Sequence, residues 1–236
     1  MIRNLKVLGL TLVAISAMAS MVAAAARAEK AGEFWATTST VAFDTTADSA
    51  HQKFVAAGRT VTCTGVSGHS AYIGISAEQT VTGVGYSNCH TTLLGLSFPT
   101  TITSEGPCHY TFTAGTHTLL AEEGAGVSHG SVHICGSTIN IYTNAASHAA
   151  GTIRCQIHVP AQTISNVTLY NRIGPNKRMA VTVDFNEASI LNTTVTDFNT
   201  LGCDAHETIT SKYTGSAWVE GTTSTGGATD TTLTGT

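Results

Sequence analysis

Six cysteines, ten histidines and a few close carboxylate pairs are the residues of this 236-residue chain whose chemistry could exceed packing. Cys63, Cys89, Cys108, Cys135, Cys155 and Cys203 form an even set, all downstream of an N-terminal apolar run. In an exported chain such a set reads as three disulfides, which form outside the reducing cytoplasm. Fifteen pairings are open to six cysteines. The simplest is sequential: Cys63–Cys89, Cys108–Cys135 and Cys155–Cys203. Loops of these lengths would contribute about 3–4 kcal/mol each by restricting the unfolded chain.

His129, His133 and Cys135 are metal-ligand types at short spacing, and Cys89-His90 and Cys108-His109 repeat the combination. Structural zinc favours closely spaced Cys-x2-Cys and His-x3-His pairs, and the chain contains no Cys-x2-Cys. On a strand, positions 129 and 133 would lie ~13 Å apart, beyond the reach of one ion. The expectation is therefore no metal and no cofactor, with the cysteines in bridges. Gly65-Val-Ser67-Gly-His69 approaches a nucleophile elbow, but its second glycine comes one position early and no strand-turn-helix setting surrounds it. A turn between strands is the plainer reading. Asp184 with Glu187, and Asp204 with Glu207, could supply the two carboxyls of a glycosidase. Trp35 and Trp218 are the only tryptophans and make no evident sugar platform, so these acids read as solvated turn residues. No catalytic residue is assigned.

Residues 1–28 have the form of a secretory signal. Arg3 and Lys6 precede an Ala-rich apolar run, and Ala26-Arg27-Ala28 supplies a small-x-small cleavage site. Cleavage would remove three of the 11 Lys+Arg and none of the 15 Asp+Glu, moving the formal charge from −4 to −7. A chain this acidic lacks the basic face that phosphate binding demands, so nucleic acid is not an expected partner. Nor is a membrane expected once the signal is gone. The chain from residue 29 to 236 would be a secreted or envelope protein of one β domain. Residues 104–107 mark a possible internal boundary, and the Thr/Gly-rich stretch 222–236 a tail or edge strand.

Period-2 alternation dominates beyond the signal. Met179, Val181, Val183 and Phe185 share one face, and Ile153, Cys155, Ile157 and Val159 share another. Ile173-Gly-Pro-Asn-Lys177 is turn chemistry, so residues 165–185 read as a hairpin. Pro160 should end its strand or mark an edge. Further short strands, near 35–43, 59–66, 79–86, 98–104, 108–113, 128–134, 138–142, 188–195, 206–213 and 216–221, predict an all-β fold. An antiparallel sandwich or barrel-like domain stabilised by disulfides is expected.

Cys108-His-Tyr-Thr-Phe, His133-Ile-Cys135 with Ile139-Asn-Ile141, Cys155-Gln-Ile-His-Val-Pro-Ala-Gln162, Gly202-Cys203 and Tyr213-Thr-Gly215 follow in order. This series resembles a group of uncharacterised exported proteins of Solirubrobacter-type actinobacteria, with a similar signal and cysteine ladder. The resemblance implies an exported, disulfide-linked bacterial β protein and no catalytic residue. The function expected from sequence is a non-enzymatic surface, matrix or binding component, its polysaccharide or protein partner held by end loops. Two alternatives stand beside it: an extracellular hydrolase assembled from distant His, Asp and Glu residues, and a His-based envelope metal-binding protein.

Overall fold

The structure, a computed structural model, describes residues 30–36, 40–44, 52–56, 58–71, 74–93, 95–107, 109–119, 126–142, 153–173, 179–197, 206–222, 228–229 and 231–235. These residues form strands joined by short bends, with no helix among them. None is long and apolar enough to cross a membrane as a helix.

β1 (Lys30–Ala36) opens the described chain, and eight staves then run up and down in turn. The first is β2 (Thr40–Asp44) with β3 (Gln52–Ala56), and the second is β4 (Arg59–Cys63) with β5 (Gly65–Ala71). A three-residue strand, β6 (Gly74–Ser76), leads into the third stave, β7 (Glu78–Ser87) with β8 (Cys89–Leu93). β9 (Leu96–Ser104) with β10 (His109–Leu119) make the fourth, and β11 (Gly126–Ile134) with β12 (Ser137–Tyr142) the fifth. The sixth joins β13 (Ile153–Val159) to β14 (Gln162–Ile173). β15 (Met179–Asp197) and β16 (His206–Thr222) each form a whole stave, and β17 (Ala228–Thr229) and β18 (Thr231–Gly235) follow.

Each stave pairs antiparallel with the next, and β16 closes the ring on β2 and β3 through Val219↔Phe43 and Tyr213↔Phe54. Of the sandwich and barrel alternatives, the chain adopts the closed eight-stranded barrel, with β1, β6, β17 and β18 outside the ring. Closure requires strongly curved strands, and bulges supply the curvature. The β10–β11 register shifts between Thr113 and Thr116, where Gly115 has φ +62°. A Cβ on Gly115 would strike the His129 carbonyl, so only glycine fits this bulge. Pro160 ends β13, as expected, but it marks a bend within a stave rather than an edge. Residues 105–107 are likewise a bend, between the two halves of the fourth stave.

Alternation decides what faces inward. Val181, Val183 and Phe185 are buried in one core with Cys155, Ile157 and Val159, as their spacing predicts. Outward positions on the neighbouring strands carry Thr, Ser, His and Lys, for example Thr111, His129, His133 and Lys212. A lipid-facing barrel shows the reverse pattern, an apolar band outside. On β15 and β16 the outward Thr182, Trp218 and Glu220 are buried too, and the Arg172 guanidinium sits 4.9 Å from the Trp218 ring centre. Both faces of this part of β15 and β16 are therefore covered.

One end of the barrel is capped. β1 starts along the edge of β10 (Lys30↔His117), then leaves it to pair with β18 on one side and β6 on the other. Phe34 from β1 and Leu233 from β18 are buried in the common core. The Asn171 side chain grips the Leu233 backbone from both sides, accepting from its N–H at 2.7 Å and donating to its carbonyl at 2.8 Å. The Thr/Gly-rich end thus contains a strand of the cap.

The Cys63–Cys89 bridge is present and joins the second and third staves. Cys135 and Cys155 are also disulfide-bonded. Their expected partners, Cys108 and Cys203, lie outside the described residues. The Cys135 sulfur lies 3.5 Å from the carbonyl of His109, the residue after Cys108.

Candidate functional site

An eight-stranded barrel is about the width at which side chains either fill the interior or leave room for one small ligand. Away from the cap this barrel leaves room: a cavity of about 60 Å³ lies between the staves, its lining drawn from all eight. Phe54, Ile102, Phe112, Ile139, Phe185 and Ile190 supply much of the wall. Each stands at an inward parity position, as an apolar residue must when the other face of its strand meets water.

Five polar side chains interrupt that lining: Gln52, Tyr86, Tyr110, Ser137 and Tyr213. The Tyr213 hydroxyl donates to Gln52 Oε1, and Gln52 Nε2 donates to the Ser216 carbonyl at 2.7 Å. The Tyr213 ring is further held edge-on against Phe185, centres 5.1 Å apart. The Tyr86 and Tyr110 hydroxyls face each other at 3.5 Å, the loose limit of a hydrogen bond. Ser137 lies close enough to Tyr110 to ease its ionisation slightly, yet its hydroxyl makes no hydrogen bond of good geometry. Burial, reinforced by the neighbouring phenols, raises all three tyrosines above the ordinary phenol range. They remain neutral at physiological pH. Among the described residues lining the cavity none is Asp, Glu, Lys, Arg or His.

Such a set can dissolve an apolar molecule and orient one polar atom of it. It holds no nucleophile paired with a base and no carboxylate pair, which bond-breaking by the routes considered from sequence would need.

The candidates read from sequence fall elsewhere. His129 and His133 are exposed on the outer face of β11, and His133 Nδ1 lies 3.2 Å from Thr163 Oγ1. Cys135 is bridged, and no group of three His, Cys, Asp or Glu among the described residues is placed to hold an ion. Ser67 and His69 are exposed within β5 rather than in a turn, which corrects that reading. The reason is local: a Cβ on Gly68 would meet Val81 Cγ1 at 2.7 Å, so the glycine serves close packing in a strand. Asp184 and Glu187 lie within β15, and Glu187 sits at a bulge with φ +49°. Its carboxyl pairs with Lys212 at 2.8 Å, and that hydrogen bond holds its pKa below the usual carboxylate value. Asp204 and the Glu207 side chain lie outside the described residues.

The cavity tyrosines were missed because each passes as an ordinary strand residue. The available signal was parity: Gln52, Tyr110 and Tyr213 share faces with Phe54, Phe112 and Ala217, putting polar atoms where the core must be. At the capped end one further polar pair is buried, His117 Nδ1 with Ser128 Oγ at 2.9 Å, beneath β1.

No protein-family model, no characterised protein and no solved structure matches this chain.

Proposed function

We propose that this is an exported, disulfide-braced barrel that binds one small, largely apolar molecule in its interior, acting as a binding component and not as an enzyme. The observation that carries the reading is the cavity, hollow and apolar but for neutral hydroxyls. A site of that kind is the usual character of a small-molecule pocket, mostly apolar with a few placed polar groups. Export is supported by the signal-like residues 1–28 and by the disulfides. The resemblance to exported actinobacterial proteins agrees with it. The earlier expectation of a surface or polysaccharide partner on the end loops has no comparable observation behind it.

Native mass spectrometry of protein recovered from the exporting cell tests the reading. A non-covalent adduct lost on denaturation is the expected result, together with a raised melting temperature when small apolar compounds are added to protein stripped of it. Bare protein that gains no thermal stability from any such compound would contradict it.

A further inference from the structure

We propose that the ligand is a neutral molecule with one acceptor oxygen, a ketone or an alcohol, set against Ser137 and Tyr110 with its hydrocarbon part in the rest of the cavity. This rests on the reading of the interior as a binding site. The donors at the site are unequally committed. Tyr213 gives its proton to Gln52, and the Gln52 amide is engaged by Ser216. Tyr86 and Tyr110 share a single long contact, and Tyr86 also interacts with the Tyr213 hydroxyl. The Ser137 hydroxyl, on a residue only 6% exposed, lies beside Tyr110 but makes no hydrogen bond of good geometry. A buried hydroxyl without a partner costs stability that a ligand oxygen would restore.

Charge narrows the class. A carboxylate or ammonium placed here would meet no counter-ion among the described lining residues, and a buried, unpaired charge is strongly disfavoured. Tyrosine faces could attract a cation, but none of the described lining residues is a carboxylate that would neutralise it. A pure hydrocarbon would fill the space and leave the Ser137 hydroxyl unsatisfied.

Calorimetric titration of the full chain with a matched six-ring series distinguishes these cases: cyclohexanone, cyclohexanol, methylenecyclohexane, cyclohexanecarboxylate and cyclohexylammonium at pH 7.5. The ketone or alcohol should bind about tenfold more tightly than the isosteric alkene, and neither ion should compete. Ser137→Ala should bring the ketone down to the affinity of the alkene while leaving the alkene unchanged. Tyr110→Phe gives the same comparison should Ser137→Ala fold poorly. Equal binding of ketone and alkene, or tighter binding of either ion, would overturn the proposed ligand class and leave the cavity reading standing. If no member of the series bound, the binding-site reading itself would fall.

Discussion

The two halves of one barrel wall enclose different interiors. Toward the cap, Ala114, Leu169, Val181, Val183 and Val219 share the buried core with Phe34 and Leu233, side chains brought in by strands outside the ring, and none of these lines the cavity. In the other half the same staves carry Phe54, Ile102, Ile139 and Ile190, no strand outside the ring contributes to the lining among the described residues, and a cavity remains. Both halves contain buried polar groups. In the capped half His117 and Ser128 satisfy each other at 2.9 Å, whereas in the hollow half Ser137 is left over. The contrast teaches that the wall alone does not decide whether such a barrel is solid. What decides is whether the chain supplies a plug.

Removing the plug should have the largest effect. Phe34→Ala opens a void in the full half and should cost about 3–5 kcal/mol in chemical denaturation. Replacing Cys63 and Cys89 together by Ala frees a 26-residue separation and should cost about 3–4 kcal/mol, measured the same way under oxidising conditions. Enlarging buried alanines sharpens the comparison. Ala114→Val, against Gly32 of the cap, overpacks the full half and should cost about 1–3 kcal/mol. Ala217→Val projects into the cavity and should be neutral or stabilise by up to about 1 kcal/mol. Similar penalties at both alanines would erase the distinction between the halves.

The smallest effects are those of pH, and the halves should fail at opposite limits. Burial lowers the His117 pKa from 6.5, so the stability of its neutral form is complete above pH 6.5 and lost as pH falls through the native value. His117→Gln should flatten the acid limb of a melting-temperature profile. The raised phenols act in the other direction. Their stabilisation is complete below pH 10 and declines above it, because the unfolded chain ionises first. Tyr110→Phe should shallow the alkaline limb and leave the acid limb alone.

Much of the wall was legible in the sequence. The parity of Val181, Val183 and Phe185 named the inward face of β15, and the order of the cysteines pointed to Cys63–Cys89. Closure was not legible, because it depends on β16 finding β2 and β3 across more than a hundred and fifty residues, as in Gln52 with Ser216, 164 apart. No local pattern encodes that pairing. The buried outer faces of Thr182 and Glu220 broke parity for the same reason, since what covers a strand is set by tertiary neighbours. Leu233 is one apolar residue among threonines and glycines, and only its pairing with Phe34 and its grip by Asn171 make it core. The site was the least visible part. Its hydroxyls come from β7, β10, β12 and β16, and a chain read alone shows parity but not convergence.

A methyl-resolved NMR titration of the full chain with cyclohexanol tests the division most directly. The largest shifts should fall at Ile102, Ile139, Ile164 and Ile190, which line the cavity, while Val181, Val183, Val219 and Leu233 stay nearly still. Equal shifts in both halves, or shifts confined to the capped half, would contradict it.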